Sequence, residues 1–285
     1  MKKTVRKTLI VILALVFLTS AVMLLRQQIE RREAQDIYAQ ALQIAVGEET
    51  AQASPRPTPA AEQSEQPEQT AQPTQSQQPQ QSAQPQSTDP AAEPEQPLGN
   101  VSLTALRGIS GDVIGWIMIP DTGLSYPLMQ GEDNDYYLNH AWDGTATPAG
   151  SIFMEYQCAA DFTDFNTIIY GHRMTYDAMF AFLKYYKSLS YWEEHPLVYI
   201  KEAGGTHCYQ IFAAYEAPVR SCVYTLKLTD DADKQAVIDY ALEQSVIDTG
   251  IVPKPSERIL TLSTCTGNGH EKRWVVQAVE LPPEG

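Results

Sequence analysis

The pattern of apolar and polar positions divides the chain into three parts. Residues 8–25 carry no charge, residues 47–99 contain a single large apolar side chain, and short apolar runs bounded by turn residues begin near residue 100. Eighteen uncharged, mostly apolar residues are just enough to cross a hydrocarbon core of roughly 30 Å as a helix. Short bounded runs are typical of strands. The pattern therefore predicts a membrane helix, a linker and a β-rich domain.

The first part predicts a single-pass membrane anchor. Residues 1–7 hold four basic and no acidic side chains, which favours a cytoplasmic tail ahead of the span 8–25 and an extracellular location for the rest. A cleaved signal peptide is the alternative, with an apolar core of about 7–15 residues and a small-residue cleavage site. The stretch "LTSAVMLLRQQ" offers no clean site. Residues 26–46 contain good helix formers and predict a juxtamembrane helix.

Residues 47–99 predict a disordered linker. They are rich in Pro, Gln, Ser and Glu, and such a segment buries too little apolar surface to offset the entropy lost on ordering. Pro-rich chain rises about 3.1 Å per residue where it is extended, so the linker can reach up to about 150 Å. The composition therefore indicates a stalk between the membrane and the domain.

Residues 100–285 are long enough for one domain with its own core. Seven or eight short strands with two inserted helices suggest a β-barrel or a β-sandwich. Proline is expected to end the first strand at Pro120 and to break the second at Pro127. The strand-like runs are "DVIGWIMIP", "LSYPLMQG", "GSIFMEY", "NTIIYGH", "PLVYIKE", "HCYQIFAAYEAPV", "RILTLSTC" and "RWVVQAVEL".

Two stretches of the domain have helical periodicity. The first is "TYDAMFAFLKYYK", residues 175–187. The second, "TDDADKQAVIDYALEQSVIDTG", begins with Thr and Asp and is expected to end at Gly250. Its predicted apolar stripe consists of Ala232, Ala236, Val237, Tyr240 and Ala241.

Charge and cysteine content exclude some functions. The domain has 12 Lys and Arg against 24 Asp and Glu, a net charge near −12, so nucleic-acid binding is not expected. No CxxC pair is present, no histidine stands at metal-ligand spacing from a cysteine, and no EF-hand-like run occurs, so neither a metal nor another cofactor is predicted. The cysteine spacing leaves a disulfide between Cys158 and Cys222 open, and Cys208 is a further candidate.

The strongest chemical signal is a cysteine at the end of a predicted strand. Cys265 ends "ILTLSTC", and Arg273 opens the next run eight residues later. A nearby cation favours the reactive thiolate over the thiol. Arginine stays charged and presents several donors, so it can bind a peptide carbonyl or a developing oxyanion.

A nucleophilic cysteine also needs an acid/base partner, and the chain has five histidines. His172 is best placed because it follows the strand-like run "NTIIYG". His140, in "DNDYYLNHAWDG", is second. The others are His195, His207 and His270, the last in the turn before Arg273.

These residues carry a resemblance to a known family. "TLSTC" followed by "RWVV" resembles the sortase signature, and "NTIIYGHRM" resembles the sortase histidine segment. The stretch "YPLMQGEDNDYYLNHAWDG" and the late helix resemble class B sortases. The resemblance covers nearly all of residues 100–285 and implies an eight-stranded mixed β-barrel with added helices.

The resemblance also implies the roles of individual residues. Cys265 resembles the nucleophile, His172 the general acid/base, and Arg273 the arginine that binds substrate and stabilises the oxyanion. His140 falls in a segment that the family uses near the site but not as its base. The substrate-binding residues expected with them are Thr264, Ser263 and Tyr170.

The implied function is the transfer of secreted proteins to the cell wall. A C-terminal sorting motif, NPQTN-like or LPxTG-like, is cleaved through a thioacyl-enzyme, and a peptidoglycan amine takes the acyl group. Three alternatives remain: a pilin polymerase with a lysine acceptor, a secreted cysteine protease or amidase that uses water, and a non-catalytic surface protein.

Overall fold

The computed structural model describes residues 2–52, 98–266 and 271–282. Strands in these ranges close into a single mixed barrel, which confirms the fold expected from the family resemblance. The strands are β1 (Val113–Met118), β2 (Ser125–Met129), β3 (Ile152–Met154), β4 (Asn166–Tyr170), β5 (Leu197–Lys201), β6 (Thr206–Pro218), β7 (Ile259–Cys265) and β8 (Lys272–Glu280).

Neighbouring strands follow the order β1-β2-β3-β4-β7-β8-β6-β5 around the barrel. The β2–β3 and β4–β7 pairs are parallel, and the other pairs are antiparallel. The parallel β4–β7 pair brings two segments together that are nearly a hundred residues apart in the chain. Pro127 does not break β2, as the sequence had suggested, but lies within it opposite Trp116. Pairing with β3 begins only at Leu128, so Pro127 leaves no gap in that ladder.

The helices in the described residues lie outside the barrel wall. The predicted helix over residues 175–187 begins later, at Phe180, and has 3₁₀ geometry. The α-helices are α1 (Lys2–Gln52), α2 (Leu103–Arg107), α3 (Leu189–Glu194) and α4 (Asp231–Gln244), and the 3₁₀ helices are Tyr136–Leu138, Phe180–Lys187 and Cys222–Tyr224.

Helix α4 was predicted correctly as an element but not in its details. Its N-cap is Asp230, whose side chain accepts a hydrogen bond from the backbone of Ala232. The helix ends at Gln244 rather than at Gly250. Its buried face consists of Val237, Ile238 and Ala241, whereas the expected stripe residues Ala232 and Ala236 are exposed. The packed face is therefore rotated toward Ile238.

Helix α1 joins the predicted anchor and the juxtamembrane helix without a break. Its segment Ile12–Gly47 contains an 18-residue window apolar enough to cross a membrane, with a mean hydropathy of 1.8, and none of that window is buried. Farther along, Ala34, Tyr38, Ala41 and Ala45 are buried against the barrel. The predicted linker falls almost wholly on residues 53–97, which lie outside the described residues.

A buried polar network supports the strands beneath the site. Thr261 of β7 is fully buried, and its hydroxyl donates to Asn166 Oδ1 at 2.6 Å and accepts from Gln277 Nε2 at 2.9 Å. Asn166 Nδ2 donates to the carbonyl of Val223, and the Tyr215 hydroxyl donates to Gln277 Oε1. The network fixes β4, β7, β8 and β6 to one another because each buried polar group has a partner.

We expect Thr261→Val to destabilise the fold. Valine has the same shape but leaves Asn166 and Gln277 each without one buried partner, which costs about 1–3 kcal/mol. For a domain of this size the melting temperature should fall by about 2–10 °C. Scanning fluorimetry on the detergent-solubilised chain measures this, with the exposed Thr229→Val as a control expected to change little. Equal melting temperatures for both variants would argue against a structural role for the network.

Candidate active site

The strand register brings the three predicted catalytic residues to neighbouring strands. In the parallel β4–β7 pair Tyr170 lies opposite Ser263, and the amide of Gly171 donates to the Ser263 carbonyl at 3.3 Å. His172 follows Tyr170 by two residues, as Cys265 follows Ser263. In the antiparallel β7–β8 pair Cys265 lies opposite Arg273. Paired strands are about 4.8 Å apart, so Cys265 stands between the other two at one end of the barrel.

Alternation along β7 sets which side the site faces. Thr261, Ser263 and Cys265 share one face, and cross-strand partners in a sheet share a face. Tyr224 lies over this face, and its hydroxyl is 2.9 Å from Ser263 Oγ. Burial raises the pKa of Tyr224, while the charge of Arg273 acts to lower it and that of Cys265 to raise it. Cys265 and Arg273 are therefore both within electrostatic reach of the Tyr224 side chain.

His172 is oriented by a backbone carbonyl. Its Nε2 lies 2.6 Å from the carbonyl oxygen of Leu138, at the end of the 3₁₀ helix Tyr136–Leu138. A carbonyl can only accept, so Nε2 carries the proton of this bond. Nδ1 of His172 has no hydrogen-bond partner among the described residues. One ring nitrogen is therefore held, and the other is available for proton exchange.

Arg173 connects the histidine segment to the cysteine strand. Its guanidinium donates to the carbonyl of Thr266, the residue after Cys265. Because Arg173 directly follows His172, this bond joins the chain just after the histidine to the chain just after the cysteine. The spacing of His172 and Cys265 is thus fixed by a side-chain bond as well as by the sheet.

Ser263 and Tyr170, two of the predicted substrate-binding residues, are held in internal contacts. Ser263 is 2% exposed and bonded to Tyr224. The Tyr170 hydroxyl donates to the Glu155 carboxylate at 3.0 Å, and Asn134 donates to the same oxygen at 2.6 Å. Burial and then the Glu155 charge raise the pKa of Tyr170, so its phenol stays protonated. Ser263 lies on the strand that ends at Cys265, and Tyr170 is the last residue of the strand that precedes His172.

Thr264 is the third predicted substrate-binding residue. It is adjacent to Cys265 in β7, so its side chain lies on the opposite face of the strand. Its side chain is 2% exposed, and its hydroxyl has no hydrogen-bond partner within residues 2–52, 98–266 and 271–282. It lines a small cavity with Trp274, whose indole donates to the Leu183 carbonyl at 2.7 Å. Only the backbone of Thr264 lies next to Cys265 on the site face, so any contact with substrate would run through main-chain atoms.

The other histidines of the described residues make contacts away from Cys265. The ring of His140 stacks on Tyr136 at 4.0 Å, and its Nδ1 lies 2.9 Å from that residue's carbonyl. His195 Nδ1 lies 3.2 Å from the Pro120 carbonyl, and His207 lies between Glu202 and Glu280. The described histidine that follows β4, beside Cys265, is His172. His270 lies outside the described residues.

Cys158 and Cys222, the pair considered for a disulfide, are not joined to each other and are free thiols. Cys158 is buried, and Cys222 is half-buried. Burial raises the pKa of Cys158 to about 11 and also raises that of Cys222. Neither thiol is therefore activated as a nucleophile at neutral pH.

We expect Cys158 to resist alkylation in the folded chain. With a pKa of about 11, fewer than about one thiol in a thousand is ionised at pH 7.5, and the side chain is buried. Treatment with iodoacetamide followed by peptide mass mapping should leave Cys158 unmodified, whereas the urea-denatured chain should be fully labelled. Labelling of Cys158 at the same rate in both samples would contradict this burial.

A closed mixed barrel that brings a strand-end cysteine next to a histidine and an arginine is typical of cysteine transpeptidases. The family model described as Sortase domain matches residues 117–281, more than half of the chain, and the chain therefore belongs to the sortase family. Its similar relatives are class B members, which confirms the class that the sequence motifs indicated.

Two curated relatives illustrate the similarity. Sortase B of Listeria monocytogenes is 36% identical over 177 residues, covering 61% of this chain and 72% of the relative. Sortase B of Staphylococcus aureus is 34% identical over 176 residues, with the same coverage.

Solved structures agree with the fold. The Staphylococcus aureus sortase B–substrate complex matches with a TM-score of 0.60 and 32% identity, covering 63% of this chain and 84% of that one. Clostridium perfringens sortase B matches with a TM-score of 0.59 and 29% identity, covering 64% of this chain and all of that one.

Three contributors to the site were not identified from the sequence. The Leu138 carbonyl is a backbone group, and residue types do not show where a carbonyl points. Tyr224 reaches Ser263 from 39 positions away, and Arg173 reaches Thr266 from 93 positions away. The one available signal was the position of Arg173 directly after the candidate histidine.

Proposed function

We propose that this chain is a membrane-anchored extracellular sortase that cleaves the C-terminal sorting signal of secreted proteins and transfers them to an amine of the cell wall. Cys265 acts as the nucleophile, His172 as the general acid/base and Arg273 as the oxyanion-stabilising cation. The observation that carries the proposal is the register of three neighbouring strands, with Cys265 opposite Arg273 and at the level of His172.

In the first half-reaction the Cys265 thiolate attacks the carbonyl carbon of the scissile peptide bond. The carbon–nitrogen bond breaks, and protonated His172 gives its proton to the leaving amine. The product is a thioester between Cys265 and the new C-terminus of the client protein. The guanidinium of Arg273 stabilises the negative charge that develops on the carbonyl oxygen.

In the second half-reaction an amine attacks the thioester carbonyl. His172, now neutral, takes a proton from the attacking nitrogen, the carbon–sulfur bond breaks, and Cys265 leaves as a thiolate. An amide bond is conserved overall, so no external energy source is needed. The covalent intermediate holds the activated acyl group until an amine arrives.

The exposed first half of α1 supports the anchor. Its apolar side chains face outward on all sides, with Phe17 77% and Met23 74% exposed, which is unfavourable in water and favourable in lipid. The basic residues ahead of the span favour a cytoplasmic N-terminus and an extracellular barrel.

The similar structures support the substrate classes. They include a sortase B–substrate complex and a sortase B complexed with triglycine. A peptide donor and a short amine-bearing peptide are the two reactants that the proposed route requires. An NPQTN-like or an LPxTG-like motif is the expected donor, and a peptidoglycan precursor amine is the expected acceptor.

Product analysis tests this function. The full chain in nanodiscs is incubated with NPQTN-like or LPxTG-like peptides, with and without triglycine, and products are identified by mass. We expect one motif to give a Cys265-dependent product joined to triglycine. Cleavage by water alone, unchanged by added amine, would instead favour the protease or amidase alternative.

A further inference from the structure

Helix α1 makes its first contacts beyond the apolar stretch with the segment that follows the catalytic histidine. Gln27, two residues past Leu25, donates through Nε2 to Thr175 Oγ1 at 3.3 Å. One turn later, the Arg31 guanidinium carbon lies 4.4 Å from the centre of the Tyr176 ring. Thr175 and Tyr176 follow His172 by three and four residues. The membrane-proximal end of α1 therefore lies at the end of the barrel that carries the site.

Farther along α1, the next contact is still beside the site, because Gly150 packs against the Leu138 carbonyl that holds His172. The Tyr38 hydroxyl donates to the Gly150 carbonyl, and its ring meets that of Tyr126 edge to face at 5.1 Å. The Ala45 carbonyl accepts from the amide of Ser102 at 2.8 Å. A helix rises 1.5 Å per residue, so Gln27 lies about 3 Å, Tyr38 about 20 Å and Ala45 about 30 Å beyond Leu25, the last residue of the uncharged stretch.

The docked part of α1 is packed closely enough to act as a rigid support. Ala34, Tyr38, Ala41 and Ala45 recur at spacings of four, three and four residues and are at most 9% exposed. This spacing places them on one face of the helix. Small side chains let the helix backbone approach the barrel, while the polar contacts of Gln27 and Tyr38 fix its position along the axis.

The two ends of the linker attach to one place on the domain. The chain passes Gly47 before it leaves the described residues and returns at Leu98, and these two residues line the same open cavity of about 550 Å³. The Leu98 carbonyl accepts from the Val101 amide at 3.1 Å. A segment whose two ends are attached to the same domain cannot set the distance between that domain and the membrane. Any spacing between membrane and barrel must come from α1.

We propose that α1 holds the catalytic cleft at the surface of the lipid bilayer and that residues 53–97 do not space the barrel from the membrane. The partner surface is the bilayer headgroup layer, and the segment that follows His172 is the part of the barrel held nearest to it. The enzyme then acts on peptide bonds and amines presented between the heights of Gln27 and Tyr38 on α1, within roughly 20 Å of the headgroups. The inference rests on the proposed anchor and transpeptidase activity.

Charge at this end of the barrel fits a lipid surface. Arg173, Lys184 and Lys187 line the small cavity beside Thr264, although the domain as a whole is acidic. Acids share this end as well. Asp177 pairs with Lys184, and Glu216 lines the same cavity. Asp133 and Asp135 lie at the start of the 3₁₀ helix whose Leu138 carbonyl holds His172. Three basic residues of α1, Arg26, Arg31 and Arg32, follow the apolar stretch. Basic side chains next to a membrane span are attracted to anionic headgroups.

A stalk would give a different geometry. Forty-five extended residues of Pro-rich chain span up to about 140 Å. A barrel on such a stalk would have no fixed orientation and no fixed distance relative to the membrane. The docked helix instead fixes one orientation and one height. The two arrangements differ in which face of the barrel lies near lipid and in which segment sets the distance.

Fluorescence quenching measures the height directly. A fluorescent amino acid replaces Asp177 at the proposed membrane end or Thr104 at the far end, each in the full chain in nanodiscs with headgroup-nitroxide lipids. Both side chains are exposed. We expect strong quenching at position 177 and little at position 104. Equal quenching at both positions, or none at either, would overturn the proposal.

Two variants test the consequence for activity. In one, an eight-residue Gly/Ser connector replaces residues 53–97. In the other, twenty Gly/Ser residues are inserted between Arg26 and Gln27. The donor is a motif peptide attached to a lipid by a short spacer, and the same peptide in free solution is the control.

The connector variant should match the native chain within about twofold on both donors. The insertion should retain activity on the free peptide but lose about tenfold or more on the lipid-attached one, because a long flexible tether lowers the effective concentration. Loss of lipid-attached activity in the connector variant, with the insertion unaffected, would show that residues 53–97 set the distance. If neither the native chain nor a variant processes the free peptide, the proposed activity fails, and quenching still decides the position of the barrel.

Discussion

Cys265→Ala should abolish transpeptidation, with a loss of about 10⁴-fold or more in kcat. The proposed route passes through a covalent bond to this sulfur, and alanine removes the only atom that can form it. Cys265 ends β7, where the sheet and the buried network of Thr261 hold its backbone. The substitution removes one half-buried sulfur, so folding should be unaffected.

Cys222→Ala is the matched control for this variant. Cys222 is also half-buried and lies next to the site, two residues before Tyr224, but burial raises the pKa of its thiol. We expect its activity to stay within about twofold of the native chain. Measurable transfer by Cys265→Ala together with a large loss in Cys222→Ala would move the nucleophile to the other cysteine.

His172→Ala should lower kcat by about 10²–10⁴-fold, the range typical of a lost general acid/base. The ring stands beside Cys265 across a parallel strand pair and is held through Nε2 by the Leu138 carbonyl. Without it, the leaving amine receives its proton only from water. Donor binding should change little, so the loss should appear in kcat rather than in KM.

His140→Ala separates this role from a general effect of removing a histidine. His140 belongs to the segment that provides the Leu138 carbonyl, yet its ring stacks on Tyr136. We expect a loss of at most a few fold, caused by a small shift of that segment. Both variants are compared over the same pH range with the same donor. A loss for His140→Ala as large as that for His172→Ala would contradict the assignment of the base.

The strands could be predicted from the sequence because the barrel obeys local rules. Each strand-like run overlaps one observed strand, with β6 and β8 beginning one residue earlier than expected, and the β7–β8 pair follows from two runs joined by a short turn. The parallel β4–β7 pairing has no such local cause. It joins positions nearly a hundred residues apart, so it could be predicted from the sequence only through the family resemblance.

What the sequence did not indicate depends on tertiary packing. The buried face of α4 includes Ile238 rather than Ala232 because the position of β6 decides which side of the helix is covered. The docking of α1 rests on contacts such as Tyr38 with Gly150, across 112 positions. A composition rich in Pro and Gln indicates a linker but not where its two ends attach. The proposed position of the barrel relative to the membrane therefore rests on contacts that the sequence did not indicate.

Capture of the thioacyl-enzyme tests the central claim most directly. The full chain is incubated with the preferred motif peptide in the absence of an amine, quenched in acid, and measured by intact mass and peptide mapping. We predict an adduct equal in mass to the donor lacking its C-terminal fragment, attached to Cys265 and released by triglycine. An adduct on another residue, or cleavage of the donor at full rate with no adduct and no dependence on Cys265, would contradict the account.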